Sequence, residues 1–302
     1  MRPLLVVICG PTASGKTGLA VSLAERLGAE IVSADSQQCY RGLDAGTAKP
    51  SAEERRRAPH HLLDVADPEE QLDAARFVQL TDAAVADIAA RGKKALVVGG
   101  TGLWIRALLR GLLEAPGASA ELRAELRQKP VSDLHAMLQK VDQVSAQRIL
   151  PNDRVRIERA LEVQALGGRP LSEMQREHAF AESRYRALTI HLEPPREVLR
   201  ERIAQRTRRL FESGALKAET EWLLARGPGA RKALKIIGYG EMAEALRDGD
   251  FVKAEERVNA RTRQYAKRQR SWFMKDAGPA AEWPLDAAGL CERARLWYEG
   301  SR

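Results

Sequence analysis

The stretch VVICGPTASGKTGLA, Val6 to Ala20, constrains this chain more than any other. Gly10-Pro11-Thr12-Ala13-Ser14-Gly15-Lys16-Thr17 fits G-x-x-x-x-G-K-[ST]. It stands between the apolar run Leu4–Cys9 and a helical pattern in which Leu19, Leu23 and Leu27 recur every four residues before Gly28. Such a turn directs backbone N–H groups and a helix N-terminus at a polyphosphate. Lys16 adds a point charge, and the Thr17 hydroxyl suits Mg²⁺. The motif predicts phosphate binding and is silent on the chemistry done with it.

Apolar runs and helical patterns then alternate. Glu30–Ala34 reads as a strand, Phe77–Ile88 as a helix and Lys94–Thr101 as a strand broken by Gly99 and Gly100. Alternation of this kind predicts a parallel sheet with helices on both faces. From about Ala118 to Ser183 the strand signal disappears. AELRAELRQ, SDLHAMLQKV and NDRVRIERALEVQALGG read as short helices, the last opening at an Asn/Asp cap and closing at Gly-Gly. RALTIHLEPP returns as a strand, followed by helical patterns beginning at Arg196, Ala215 and Glu255. The expected fold is α/β, a P-loop NTPase-like parallel sheet flanked by helices with an inserted all-helical domain. Its core comprises residues 1–117 and 184–302, and its insertion residues 118–183.

The 302 residues carry a formal net charge of +8, which favours a polyanionic partner such as nucleic acid. Aromatic residues are only 5%, so any base-stacking surface is small. Cys9, Cys39 and Cys291 have neither disulfide-frame nor metal-site spacing and read as reduced cytosolic thiols. No apolar stretch approaches a membrane span, and a cytoplasmic location is expected.

A P-loop nucleoside triphosphatase usually holds its metal with an Asp at the tip of a second strand. Here ALVV runs into Gly99-Gly100-Thr101, and the acid at a strand tip is Asp35 instead. At the C-terminal edge of the sheet it would face the P-loop crevice, as a general base or a metal ligand; it also reads as a turn-forming Asp. Arg202, Arg206 and Arg209 share one helical face, suited to a departing phosphate or diphosphate or, equally, to solvent. Arg263, Lys267 and Arg270 align with Tyr265, Trp272 and Phe273 interleaved, a mixture that serves RNA contact or a core with a charged surface. Arg156 and Arg159 form a second basic patch. His60 and His61 lack further ligands at metal spacing and read as loop residues.

Together GPTASGKT, SADSQQCYRGLDAGTAKP, APHHLLD, VVGGTGLW, PNDRVRIERALEV, IIGYGEM and RTRQYAKRQRSWF resemble the tRNA dimethylallyltransferase (isopentenyltransferase) family, in order and over most of the chain. The resemblance implies transfer of a dimethylallyl group from dimethylallyl diphosphate to the exocyclic amine of the adenosine 3′ of the anticodon, in tRNAs reading codons that begin with U. It implies Asp35 as the base and Arg206, Thr101 and Lys16 as its catalytic companions. Gly10 to Thr17 would hold the diphosphate, with Mg²⁺ on Thr17. The anticodon stem-loop would be gripped by Asp35, Ser36, Gln37, Gln38 and Thr101, by Arg123, by Val155, Arg156, Ile157, Glu158 and Arg159, and by Lys235, Ile236, Ile237, Gly238, Tyr239 and Gly240. Leu150 and Gly240 depart from the family pattern, where relatives often carry His and Arg. No C-terminal zinc-finger extension of the eukaryotic kind is seen, so a bacterial-type enzyme is expected, and a monomer is expected as well. The alternatives are a P-loop small-metabolite kinase and a non-catalytic RNA-binding protein with a nucleotide-gated switch.

Overall fold

In the first strand, β1 (Leu4–Cys9), Leu5 to Cys9 alternate their side chains between two buried faces, as in a doubly covered sheet. A computed structural model of the chain describes residues 2–117, 119–181, 183–278, 280–281 and 283–300. It divides into two units, one formed by residues up to Leu109 and from Arg184 onward, the other by Arg110–Ser183. The expected boundary at Ala118 lies outside the described residues.

The larger unit contains α1 (Lys16–Leu27), β2 (Ala29–Ser33), α2 (Ala52–Arg57), β3 (His60–His61), α3 (Ala74–Ala90) and β4 (Lys94–Gly99). Helix α4 (Gly102–Arg110) ends at the boundary between the units. The five strands are parallel in the order β3-β2-β4-β1-β5, where β5 is Arg186–His191. Val6 and Ile8 pack on one face with Leu19 and Leu23 of α1. Leu5 and Val7 pack on the other with Phe77 of α3 and Trp104 of α4, whose rings stack 4.5 Å apart. These are the layers the alternating pattern predicts.

His60 and His61 correct the loop expectation. They form the edge strand β3, in register with Ile31 and Val32. His61 Nε2 meets Glu30 Oε2 at 2.7 Å, and Arg91 grips the same buried carboxylate through two nitrogens. A two-residue strand of histidines carries no apolar run, which is why no strand pattern marks it.

The smaller unit holds α5 (Ala120–Arg127), α6 (Val131–Val141), α7 (Gln143–Arg148), α8 (Arg154–Gly167) and α9 (Leu171–His178), with no strand among its described residues. Asp153 caps α8 by accepting from Arg156 N, and Gly168 closes it in the left-handed conformation. The core is Leu126, Leu134, Leu138, Ile157, Ala160 and Leu161.

The larger unit resumes after β5 with α10 (Arg196–Glu212), α11 (Ala215–Ala225), a 3₁₀ segment Pro228–Lys235, α12 (Tyr239–Asp248), α13 (Phe251–Asp276) and α14 (Ala287–Glu299). No helix among the described residues is long and apolar enough to cross a membrane.

Candidate active site

The turn after β1 fits its motif sterically. Gly10 sits at φ +148°, and a Cβ there would stand 2.3 Å from the Leu192 carbonyl oxygen. Helix α1 starts at Lys16 with no side chain capping its first N–H groups, so they remain available to an anion. Lys16 Nζ donates to Pro11 O at 2.6 Å. Burial draws its pKa down to about 8, against the opposing pull of Asp35. The neighbouring Cys9 thiol is pushed up to about 12 by burial and stays protonated.

Asp35 lies two residues past the end of β2. Its Oδ1 accepts from Gln37 N at 2.9 Å, so the turn-forming role is real, and Oδ2 has no hydrogen-bond partner among the described residues. The carboxylate's charge is felt by Lys16, Arg206 and Tyr265, which places the β2 tip against the P-loop, α10 and α13 at once. Thr101, at the β4 tip, accepts from Ser36 N at 2.9 Å. Gln37 Oε1, one residue further along, is a buried acceptor with no hydrogen-bond partner among the described residues.

Arg206 reaches in from α10, its Nη1 3.2 Å from Thr12 Oγ1 and its Nη2 3.5 Å from Gly46 O. Burial lowers its pKa while Asp35 raises it. No carboxylate lies within 4 Å of its guanidinium among the described residues. The DAGTAKP loop that presents Gly46 is held from two sides. Glu219 of α11 accepts from the backbone N–H groups of Asp44, Ala45 and Gly46, and Lys49 donates to Tyr40 O, Asp44 and Asp64.

Three residues of this site have no catalytic role in the sequence reading. Gln269 of α13 is buried, accepts from Thr12 N at 2.8 Å and donates to Gly100 O at 2.8 Å, joining the P-loop to the β4 tip. Glu219 is the second. Tyr265 is the third as a site residue: it contacts Thr101, and burial, then the Asp35 charge, raises its pKa. QYAKRQ, Gln264 to Gln269, is the only local signal that points to Gln269 and Tyr265.

Among the expected RNA contacts, two have fully buried side chains. Tyr239 has no exposed surface and donates to Glu219 Oε2 at 2.6 Å beneath the DAGTAKP loop. Ile157 is likewise fully buried, in the core of the smaller unit. Both side chains are packed into the protein and present no surface. Gly238 is buried as well. Val155 is 76% exposed, and Arg156 projects into solvent beside Asp153. Arg123 and Arg159 both grip the buried Glu162, and Glu158 pairs with Arg154. Lys235 is exposed, whereas Ile236, Ile237 and Gly240 are half-buried. On α13 the aromatics divide. Phe273 is core, Trp272 packs against Gly102 and Arg106, and Arg270 is engaged by Glu193. Arg263 and Lys267 are the exposed cations of that helix face.

A P-loop with a carboxylate, a hydroxyl and an arginine gathered around it defines an α/β protein with a phosphate-binding site. The chain belongs to the IPP transferase family, whose model matches residues 38–276. It is 54% identical to the tRNA dimethylallyltransferase of Anaeromyxobacter dehalogenans strain 2CP-C, with 96% of this chain and 98% of that one covered. With the tRNA dimethylallyltransferase of Myxococcus xanthus the identity is 48%, covering 96% and 97%. Among solved structures, the tRNA delta(2)-isopentenylpyrophosphate transferase of Staphylococcus epidermidis superposes with a TM-score of 0.70 at 32% identity and full coverage of both chains. A eukaryotic dimethylallyltransferase acting on tRNA superposes at 0.85 with 26% identity, covering 99% of this chain and 80% of that one.

Proposed function

We propose that this chain transfers the dimethylallyl group of dimethylallyl diphosphate to N6 of the adenosine 3′ of the anticodon, in tRNAs reading codons that begin with U. The observation that carries the reading is Asp35. A carboxylate with one free oxygen shares the field of Lys16 and Arg206 at the mouth of a diphosphate cradle. The amine nitrogen attacks the allylic carbon and the carbon–oxygen bond to the diphosphate breaks. The amine proton passes to Asp35 Oδ2, and the electron pair leaves with the diphosphate. A positioned base of this kind contributes about a hundred- to ten-thousand-fold.

Gly10 to Thr17 and Arg206 hold the leaving group, with Lys16 reorienting from Pro11 O to a phosphoryl oxygen. Gln37 Oε1, buried and unpartnered, suits the second N–H of an exocyclic amine. Thr101 and Tyr265 orient the base against Asp35. The Thr17 hydroxyl would hold Mg²⁺ together with oxygens of the bound diphosphate, and among the described residues no cluster of His, Cys, Asp or Glu forms an all-protein cage. When bound, Mg²⁺ supplies charge neutralisation on the departing diphosphate. A stacked adenine cannot reach this crevice, so the nucleotide flips out to enter. Val155, Arg156 and Lys235, with Ser36 to Gln38, offer the exposed groups for the anticodon stem-loop. Three buried free thiols, with no disulfide among the described residues, fit a reducing, cytoplasmic location.

Family membership favours this reading over the small-metabolite kinase. The test is incubation of the protein with Mg²⁺, dimethylallyl diphosphate and unmodified tRNA, followed by mass spectrometry of digested nucleosides. An adenosine heavier by one dimethylallyl group supports the reading. Unmodified tRNA, with ATP consumed in the presence of a small acceptor, refutes it.

A further inference from the structure

Arg206 is not alone over the P-loop. One turn earlier on α10, Arg202 Nη1 lies 3.4 Å from Ala13 O and 3.6 Å from where a Cβ on Gly15 would stand. Leu199, Ile203 and Thr207 are the buried residues that seat this stretch of the helix. Seated this way, α10 turns 202 and 206 toward the same loop, about 5–6 Å apart along its axis.

The surroundings of Arg202 separate it from an ordinary surface arginine. Arg57, Arg91, Arg226, Arg257, Arg261 and Arg270 each meet a carboxylate. Arg202 and Arg206 have none within 4 Å among the described residues; both rest on long bonds to neutral oxygens of the P-loop and its neighbour. A phosphoryl oxygen forms a shorter, charge-assisted bond to the same donors and readily displaces a carbonyl held at 3.4 Å. Arg202 is also held in place. Its guanidinium stacks 5.2 Å from the centroid of Trp283, and just before Trp283 the Ala281 N–H donates to His191 O at 2.7 Å, at the end of the strand beside β1. Arg202 is exposed, as are Arg208 and Arg209 on the same helix; what sets it apart among the described residues is its contact with Ala13 O and the Trp283 ring.

We propose that Arg202, stacked on Trp283, is a second guanidinium that binds the diphosphate group of the donor and retains the diphosphate product, with Arg206 serving the other phosphoryl group. This rests on the reading of the P-loop as a diphosphate cradle. Arg202 is then a binding residue and Trp283 a positioning residue. The pair ties the chain after α13 to occupancy of the P-loop.

The test is calorimetric titration of the full chain with inorganic pyrophosphate and Mg²⁺, alongside tRNA binding by filter retention. Arg202→Gln is expected to weaken pyrophosphate binding about ten- to hundred-fold. Arg202→Lys keeps charge but loses the fork and the stacking, and falls in between. Trp283→Leu costs about three-fold. In all three the tRNA affinity and the thermal midpoint stay at wild-type values. Pyrophosphate affinity within two-fold of wild type in Arg202→Gln, while Arg206→Gln loses it, overturns the proposal. So does a parallel loss of tRNA binding, which would make Arg202 a backbone contact to RNA. A wild-type protein that binds pyrophosphate through Arg202 yet leaves tRNA unmodified refutes the function proposed above and keeps this site.

Discussion

Gln269 and Thr12 are 257 residues apart in the chain and joined by a 2.8 Å hydrogen bond from the Thr12 backbone N–H to the Gln269 side-chain oxygen. The Gln269 amide nitrogen continues the link to Gly100 O, so one buried side chain sets the spacing between the phosphate turn and the β4 tip that carries Thr101. Gly100 permits this approach, since a Cβ there would stand 2.3 Å from Gln269 Nε2.

Gln269→Leu leaves a buried N–H and a buried C=O without partners, each costing about 1–3 kcal/mol. We expect a lowered thermal midpoint and at least about ten-fold lower kcat/KM for the donor. Gln269→Glu keeps the acceptor for Thr12 and places a negative charge beside the cradle, so its pyrophosphate affinity falls further than that of Gln269→Leu. Calorimetry and a melting curve on the two variants decide this. Wild-type pyrophosphate binding in both would reduce the bridge to packing.

Asp35 does two things, and one substitution separates them. Asp35→Asn keeps an oxygen for Gln37 N and so preserves the turn, but cannot take a proton. We expect kcat to fall by about a hundred-fold or more, with tRNA affinity within about three-fold of wild type. Single-turnover kinetics and tRNA titration measure the two. A kcat within a few-fold of wild type would remove the carboxylate from the base role.

Lys16 titrates at about 8 in the ligand-free protein, drawn down chiefly by burial. Its folded value lies below the ordinary lysine value of 10.5, so the charged form costs stability at neutral pH, and that cost is relieved as pH rises from about 8 to 10.5. A bound diphosphate restores the proton. Pyrophosphate affinity should therefore weaken as pH rises through 8, with proton uptake on binding seen by calorimetry in buffers of different ionisation enthalpy. Lys16→Arg, charged throughout, should lose that step.

Glu30 ties the edge strand β3 to β2 and to the end of α3. The Arg91 hydrogen bonds hold its pKa at about 2, overcoming burial, and His61 assists. Its folded value is below the ordinary 4.5, so the stability it confers is present above pH 4.5 and lost as pH falls toward 2. Thermal melts of wild type should drop over that window more steeply than those of Glu30→Gln, which starts lower. Parallel curves would show that the cluster carries no pH-dependent stability.

What was legible in the sequence followed local rules. The strand β1, the P-loop and α1 declare themselves because period, glycine and Lys-Thr fall within one short run. Asp35 is legible for the same reason, being an acid at a strand tip. Gln269 and Glu219 are not, since their partners Thr12 and Asp44 to Gly46 are far away in sequence and neither residue type signals its bonds. Tyr239 and Ile157 mislead in the opposite direction. Both sit in motifs that resemble RNA-contacting segments, and both are buried because those segments also pack the core. Arg202 and Arg270 look alike in sequence, yet Glu193 engages only the second.

The central claim is that the P-loop holds a leaving diphosphate and that no phosphoryl group moves. Dimethylallyl diphosphate labelled with ¹⁸O at the bridge between carbon and phosphorus tests it directly. After reaction with unmodified tRNA, the account predicts that all of the label remains in the released diphosphate, read by the ³¹P isotope shift, in amount equal to the alkylated adenosine. Label recovered in dimethylallyl alcohol, with phosphate on an acceptor, would mean that the phosphorus–oxygen bond breaks, and would contradict it.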